Sequence, residues 1–158
     1  MNQAFLIKLM ADWALIPIVL IGAYALVFKI PKGRRFESYK RILVAGLTAY
    51  LLAKLIGSIY QPTGERPFEI LGTAAGAAYL NNPGFPSDHT LFISVITCAV
   101  WFETKQKLIT LVLVGLTIVV CLGRVLALVH TPIDVIGGIL IALIGSLWYL
   151  NVPPKSAK

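Results

Sequence analysis

Residues 108–129 read LITLVLVGLTIVVCLGRVLALV, and Arg124 is the single charged residue among them. A helix that crosses the hydrocarbon core of a bilayer needs roughly 20 predominantly apolar residues. This stretch is long enough to do so. A charged group within such a helix is energetically expensive and usually marks a functional site. Residues 108–129 therefore predict a membrane helix that carries a cation near one end.

The composition of the whole chain agrees with a membrane environment. The chain has 158 residues, of which 58% are hydrophobic and 13% are charged, and its mean hydropathy is +0.82. Soluble domains contain about 25% charged residues. A soluble chain this short could not bury so much apolar surface. We therefore expect one integral membrane domain over residues 1–158.

Four further apolar stretches complete the pattern. They predict an all-α, polytopic membrane helix bundle with about five to six transmembrane helices. A sixth helix would come from the Gln61–Pro86 loop, where EILGTAAGAAYL at residues 69–80 is the candidate for a short helix. The four stretches run from about Trp13 to Phe28, Ile42 to Tyr60, Ser87 to Phe102 and Ile133 to Leu150.

Basic residues collect on one face of this bundle. Six lie in KIPKGRRFESYKR at residues 29–41, and the others are Lys105, Lys107, Lys155 and Lys158. The positive-inside rule places this face in the cytoplasm, so we expect a multi-pass protein of the cell (cytoplasmic) membrane. The net charge of +7 is then mainly a topology signal. Nucleic-acid binding is a poor explanation for this charge, because the basic residues flank membrane spans and no recognition fold accompanies them.

The opposite, extracytoplasmic face receives most of the remaining ionisable groups. Because such groups are costly at membrane depth, their convergence indicates a shared polar site. The candidates are Lys54, Arg66, Ser87, Asp88, His89, Arg124, His130 and Asp134.

The segment FPSDHT at residues 85–90 predicts a helix N-terminus. Ser87 precedes an apolar run, as a capping residue does. Free backbone N–H groups and the helix dipole favour an anion there, and His89 would lie beside it. The alternative is an ordinary capped helix with a polar histidine at the interface.

The segment GRVLALVHTPID at residues 123–134 holds the second histidine. Asp134 either completes a helix cap with Thr131, or accepts the Nδ1 proton of His130 and leaves Nε2 free to attack. Arg124 either extends its head to the interface or clamps phosphate oxygens. Arg66, in an outward loop, and Lys54, inside a span end, are each ambiguous alone. Together these residue types are suited to metal-independent phosphoryl transfer.

The three segments together resemble the type 2 phosphatidic acid phosphatases. The resemblance rests on Arg66-Pro67, on Pro86-Ser87-Asp88-His89, and on the Arg124, His130 and Asp134 spacing. The chain departs from the family pattern where Ile59 occupies the usual lysine position and where Asp88 and Gly123 replace glycine and serine. RPFE, FPSDHT and HTPIDVIGG look most like the bacterial undecaprenyl-diphosphatase branch associated with bacitracin resistance.

The resemblance implies a role for each site residue. His130 would be the nucleophile that forms a phosphohistidine, Asp134 would orient it, and His89 would be the general acid. No metal or other cofactor is implied. The phosphoryl group would be bound by Arg66, Ser87 and Arg124, with Lys54 as a further candidate.

The implied partner is a lipid phosphate or diphosphate in the membrane, foremost undecaprenyl diphosphate, and the oligomeric state stays open. Phosphatidate or phosphatidylglycerophosphate is the alternative substrate, since the motifs recognise phosphate rather than the lipid tail. An alternative of a different class is a non-catalytic membrane protein that binds lipid or assists transport. The complete set of His89, His130 and Asp134 favours the enzyme.

Overall fold

The computed structural model describes residues 2–62, 64–82 and 84–150, and all of their regular structure is helical. The contribution predicted for Lys155 and Lys158 lies outside the described residues, as do both ends of the predicted domain. Five long helices and one short helix follow one another along the chain. They are α1 (Gln3–Phe28), α2 (Arg35–Ile59), α3 (Pro67–Ile70), α4 (Asp88–Thr104), α5 (Lys107–Leu126) and α6 (Pro132–Ser146).

All five predicted spans form helices, which confirms the predicted helical membrane bundle. Within the described residues, four helical stretches are long and apolar enough to cross a membrane. The remaining long helix, α4, has 17 residues and lies at the centre of the bundle, where it packs against α1, α2, α5 and α6. The four stretches are Gln3–Phe28, Lys32–Ile59, Lys107–Leu126 and Pro132–Tyr149.

Helix α1 begins ten residues earlier than predicted and contains a π-helical turn, Leu9–Trp13. The Ala14 amide donates to the Leu9 carbonyl at 2.9 Å, which is the wider spacing of a π turn. Pro17 follows closely, and a proline ring clashes with the carbonyl four residues before it. The irregular turn thus ends where the proline would disturb a regular α-helix.

Small residues let the helices approach one another closely. A Cβ atom at Gly145 of α6 would lie 2.7 Å from the Ala45 carbonyl of α2. A Cβ atom at Gly138 would lie 3.0 Å from both the Ser87 carbonyl and the Leu91 amide of α4. This second approach brings the first turns of α4 and α6 together, so the two histidine-bearing segments meet.

The loop between α2 and α4 adds no sixth spanning helix within its described residues. The short helix predicted over residues 69–80 is wrong beyond Ile70, where α3 ends. Gly72 adopts φ +62, in the left-handed region, and Gly76 then donates to the Ala127 carbonyl at 3.0 Å. Residues 71–80 therefore form turns and irregular structure, and the Gly76 contact holds them against the end of α5.

At the end of the bundle that carries the basic residues of segment 29–41, a buried ion pair joins α2 to α4. Nε and Nη2 of Arg41 in α2 donate to the two carboxylate oxygens of Glu103 in α4, at 2.7 and 2.8 Å. The Ser38 hydroxyl also donates to Glu103, at 2.5 Å. This bidentate contact fixes α2 against α4 at the end with the basic residues. The predicted site lies at the other end of both helices.

Candidate active site

The predicted site residues lie at one end of the bundle, opposite the Arg41–Glu103 pair. Lys54 lies near the end of α2 and Arg66 directly before α3. The others come from the start of α4, the end of α5 and the start of α6: Ser87, Asp88, His89, Arg124, His130 and Asp134. The helix order predicted from the sequence therefore assembles them as expected.

His130 and Asp134 form a buried pair. Nδ1 of His130 lies 3.6 Å from Oδ2 of Asp134, and the two side chains are 5% and 2% exposed. The same Oδ2 accepts from the Thr131 amide at 2.7 Å, while the Asp134 amide donates to the Thr131 hydroxyl at 3.3 Å. Asp134 thus both completes the cap of α6 and faces the imidazole. The helix cap is formed as predicted, whereas the 3.6 Å separation is too long for a hydrogen bond, and Nδ1 has no hydrogen-bond partner among the described residues.

The chain between α5 and His130 is held in an uncommon conformation. Leu128 adopts φ +59, a left-handed value that a leucine takes only when its surroundings require it. The Leu128 carbonyl accepts from the Phe68 amide at 3.0 Å. Nη1 of Arg66 donates to the Val129 carbonyl at 2.6 Å. The loop between α2 and α4 thus fixes the two residues that precede His130.

Ser87 and His89 occupy the first turn of α4. Ser87 is fully buried, and its hydroxyl accepts from the Thr90 amide at 3.5 Å as the predicted N-cap. The Ser87 amide donates to the Asp134 carbonyl at 3.0 Å, which ties this turn to α6. His89 is half-buried, and Arg124 and His130 lie close enough to interact with it electrostatically. The two histidines therefore share one site.

Arg124 is fully buried in the last turn of α5. Its Nη1 donates to Oδ1 of Asp12 at 3.1 Å and to the Ala78 carbonyl at 2.7 Å. Its Nε and Nη2 are buried and have no hydrogen-bond partner among the residues that the structure describes. A buried donor without a partner is costly, so these two nitrogens are available to bind an anion.

Arg66 is engaged in a different way. Besides the Val129 carbonyl, its guanidinium donates to the Leu80 carbonyl at 3.0 Å and to Oδ1 of Asn82 at 2.9 Å. It also lies over the Tyr79 ring, 5.2 Å from the centroid. In this structure Arg66 therefore organises the loops around the site, and its charge contributes to the local potential.

Lys54 reaches the edge of the site through Asp88. Its Nζ lies 3.1 Å from Oδ1 of Asp88, and its side chain is 47% exposed. Nδ2 of Asn82 donates to the other oxygen of the same carboxylate at 2.9 Å. The aspartate that departs from the family pattern thus links Lys54 to Asn82, which contacts Arg66.

Burial lowers the pKa of the His130 imidazole below its usual value of 6.5. The Asp134 carboxylate acts in the opposite direction, and the positive charges of Arg124 and Arg66 lower the pKa further. Burial also lowers the pKa of Arg66, which nevertheless stays charged at neutral pH. The site therefore presents a neutral imidazole beside two cations, which suits attack on an anionic phosphoryl group.

Asp12 was not predicted from the sequence as a site residue, although its carboxylate contacts Arg124. The predicted first span begins at Trp13, which left this residue just outside it. An acidic residue close to an apolar run was the available signal. The carbonyl of Ala78 was also missed, and no sequence pattern identifies a backbone acceptor of this kind.

This chain is an integral membrane protein of the PAP2 superfamily. The sequence model of that superfamily matches residues 38–158. BcrC, the bacitracin transport permease protein of Bacillus licheniformis, is 30% identical over 115 residues, which are 72% of this chain and 54% of that protein. The chain thus spans about half the length of this relative. No solved structure matches the chain significantly. The family match and the similarity to BcrC confirm the family resemblance inferred from the motifs.

Proposed function

We propose that the protein is a lipid phosphatase that hydrolyses undecaprenyl diphosphate to undecaprenyl phosphate and inorganic phosphate. The observation that carries the proposal is the buried His130–Asp134 pair beside Arg124, whose Nε and Nη2 have no partner among the described residues. A nucleophile with its orienting carboxylate and an available guanidinium provides the groups that phosphoryl transfer needs.

In the first step, Nε2 of His130 attacks the terminal phosphorus of the lipid diphosphate. The N–P bond forms while the bond from phosphorus to the bridging oxygen breaks. Asp134 orients the imidazole and stabilises the positive charge that develops on it. Arg124 binds the equatorial oxygens, and His89 donates a proton to the leaving oxygen of undecaprenyl phosphate.

In the second step, water replaces the histidine. Neutral His89 accepts a proton from the water as it attacks phosphorus, and the N–P bond breaks. Inorganic phosphate and free His130 are the products. The α4 N-terminus, capped by Ser87, contributes positive potential to both steps. None of these steps requires a metal ion.

Two observations support the choice of substrate. The motifs resemble the undecaprenyl-diphosphatase branch, and the name of the Bacillus licheniformis relative connects that protein with bacitracin. We further propose that the protein lies in the cytoplasmic membrane, with this site on the extracytoplasmic side. The basic residues at the opposite end of the bundle support that orientation.

Phosphate release by the purified protein in detergent tests the proposal. Undecaprenyl diphosphate, phosphatidate and phosphatidylglycerophosphate are compared at equal concentration, with and without excess EDTA. We expect a preference for the diphosphate and no effect of EDTA. Comparable rates on all three lipids would contradict the substrate choice. A loss in EDTA that magnesium restores would contradict the metal-independent mechanism.

The matched control is His130→Ala, which removes the nucleophile. We expect this variant to elute and unfold like the wild-type protein and to release no phosphate. Normal turnover by this variant would refute the assignment of the nucleophile. Absence of phosphate release from any lipid by the wild-type protein would favour a non-catalytic membrane protein that binds lipid.

A further inference from the structure

We propose that Asp12 is a positioning residue for catalysis, which holds the Arg124 guanidinium so that two of its nitrogens face the phosphoryl group. The inference rests on the proposed function, because it assigns a partner to a residue of that site. Asp12 lies on α1, before the residues that match the family, and outside the three motif segments.

The contacts around Asp12 form a closed arrangement of three residues. Oδ1 accepts from Nη1 of Arg124 at 3.1 Å, and Oδ2 accepts from the Ala78 amide at 3.0 Å. The Ala78 carbonyl in turn accepts from the same Nη1 at 2.7 Å. Both carboxylate oxygens and one guanidinium nitrogen are thereby occupied. The guanidinium is planar, so fixing one end fixes the directions of the other two nitrogens.

The local fold brings Asp12 to this position. Asp12 lies within the π-helical turn Leu9–Trp13, and such turns are frequent at functional sites. A Cβ atom at Gly123, the residue before Arg124, would lie 2.6 Å from the Ala11 amide and 2.7 Å from the Met10 carbonyl carbon. Only glycine permits the α1 backbone to come this close. The irregular turn and the glycine together place the carboxylate beside the guanidinium.

The burial of the Asp12–Arg124 ion pair determines how strongly the two charges attract each other. The Arg124 side chain is fully buried and that of Asp12 is 18% exposed. A charge pair with little access to water is screened weakly, so the attraction that restrains the guanidinium is stronger than it would be at the surface. Nε and Nη2 of Arg124 are the nitrogens that remain without partners in the described part of the chain. An arginine restrained on one side binds phosphate with less loss of side-chain entropy.

Replacing Asp12 by asparagine tests this inference, because the change keeps the shape and removes the charge. The two donors meet different carboxylate oxygens, and asparagine replaces one of these with an NH2 group, which cannot accept a hydrogen bond. We expect kcat/KM for undecaprenyl diphosphate to fall roughly 10- to 100-fold, mainly through kcat, since misplacement by about 1 Å has such effects. Asp12→Glu, which keeps the carboxylate, should recover part of this loss.

A coupling measurement separates positioning from general stabilisation. In an Arg124→Lys background, where no forked group remains to be oriented, Asp12→Asn should change kcat less than about 3-fold. Glu37→Gln is the matched control, because Glu37 is an exposed acid at the other end of the bundle. The unfolding midpoint and elution volume are measured for every variant, so rates refer to folded protein.

The outcomes are distinguishable. Full activity in Asp12→Asn, while Arg124→Ala is inactive, would overturn this inference and leave the proposed function standing. Full activity in Arg124→Ala would instead overturn the proposed phosphate site. An equal loss from Asp12→Asn in the wild-type and Arg124→Lys backgrounds would show that Asp12 acts independently of Arg124. If Asp12→Asn does not fold, Asp12→Glu in the same two backgrounds decides between these outcomes.

Discussion

The Asp134 carboxylate serves two purposes through a single oxygen atom. Oδ2 accepts from the Thr131 amide and lies 3.6 Å from Nδ1 of His130. The first contact stabilises the start of α6, while the second acts on the imidazole. Substitutions at Asp134 and at Thr131 should therefore separate stability from catalysis.

Asp134→Asn keeps an acceptor for the helix cap and removes the charge beside His130. We expect kcat to fall by roughly two to four orders of magnitude, as when the orienting carboxylate of a catalytic triad is changed to an amide. Thr131→Ala should instead lower the free energy of unfolding by about 1 kcal/mol and leave kcat within roughly 3-fold. Phosphate release and thermal unfolding of both variants would show whether these roles separate.

The lowered pKa of His130 has a consequence for pH dependence. In the proposed mechanism the imidazole attacks only when it is neutral, so activity should be lost as the pH falls through its pKa. Because burial lowers that pKa, we expect the acid-side decline of kcat at saturating substrate to be centred below about pH 6.5, while loss of the His89 proton sets the alkaline side. The measurement is kcat between pH 4 and 8. A decline centred above the usual histidine value would contradict a neutral, buried nucleophile.

At the scale of elements, the crossing of α4 and α6 positions the site. Gly138 lies against the Ser87 carbonyl and the Leu91 amide, which are backbone atoms that cannot rotate away. Gly138→Val should separate the first turn of α4 from α6, lowering the free energy of unfolding by roughly 1–3 kcal/mol and reducing kcat. The measurements are thermal unfolding and phosphate release.

Gly115 provides the control for this prediction. It also lies in a long helix, but a Cβ atom there would have no neighbour within 4 Å among the described residues. Gly115→Val should therefore leave kcat unchanged and shift stability little. If the two valine variants behaved alike, the close approach of α4 and α6 would not be what positions Ser87 and His89.

The helices were predictable because apolar runs of this length have few alternatives. Their ends were less predictable where polar residues lie inside a helix. Lys8 and Asp12 interrupt the hydropathy before Trp13, so the first span was predicted to begin too late. In the structure Lys8 is exposed and Asp12 pairs with Arg124, so neither residue ends the helix. Hydropathy cannot show that a distant arginine neutralises an acid.

The site was predictable to the extent that it depends on motif order. The sequence brought His89, Arg124, His130 and Asp134 to one face, and the structure places them together there. Their roles remain predictions. The contacts of Arg66 with the Val129 and Leu80 carbonyls, and of Lys54 with Asp88, depend on how the loop between α2 and α4 folds. Residue identity alone gives no signal for these contacts.

At the scale of the whole molecule, the two ends of the bundle differ in chemistry. One end carries basic loops and the Arg41–Glu103 pair, while the other carries the candidate site. We expect the site end to face outward. Ala74→Cys, in the exposed loop between α2 and α4, and Gly33→Cys, in the exposed basic loop, report on the two ends. Cys98 and Cys121 are free, so both would first be replaced by serine.

A membrane-impermeant maleimide is applied to intact spheroplasts and to lysed ones. Ala74→Cys should react in both preparations, whereas Gly33→Cys should react only after lysis. Labelling of Gly33→Cys in intact spheroplasts, with Ala74→Cys protected, would show the reverse orientation. Equal labelling of both variants after lysis confirms that each thiol is reactive.

The location of Asp12 on α1 has a consequence for how the gene can be divided. A fragment that starts after the first helix would keep every family motif and still lack the carboxylate that meets Arg124. If Asp12 positions Arg124 as proposed, such a fragment should be nearly inactive. The exposed turn at Gly33, which has no neighbour within 4 Å of its Cβ position among the described residues, is a natural point to cut. Co-expression of the two pieces would then require the 26-residue helix α1 to find its place without a covalent connection.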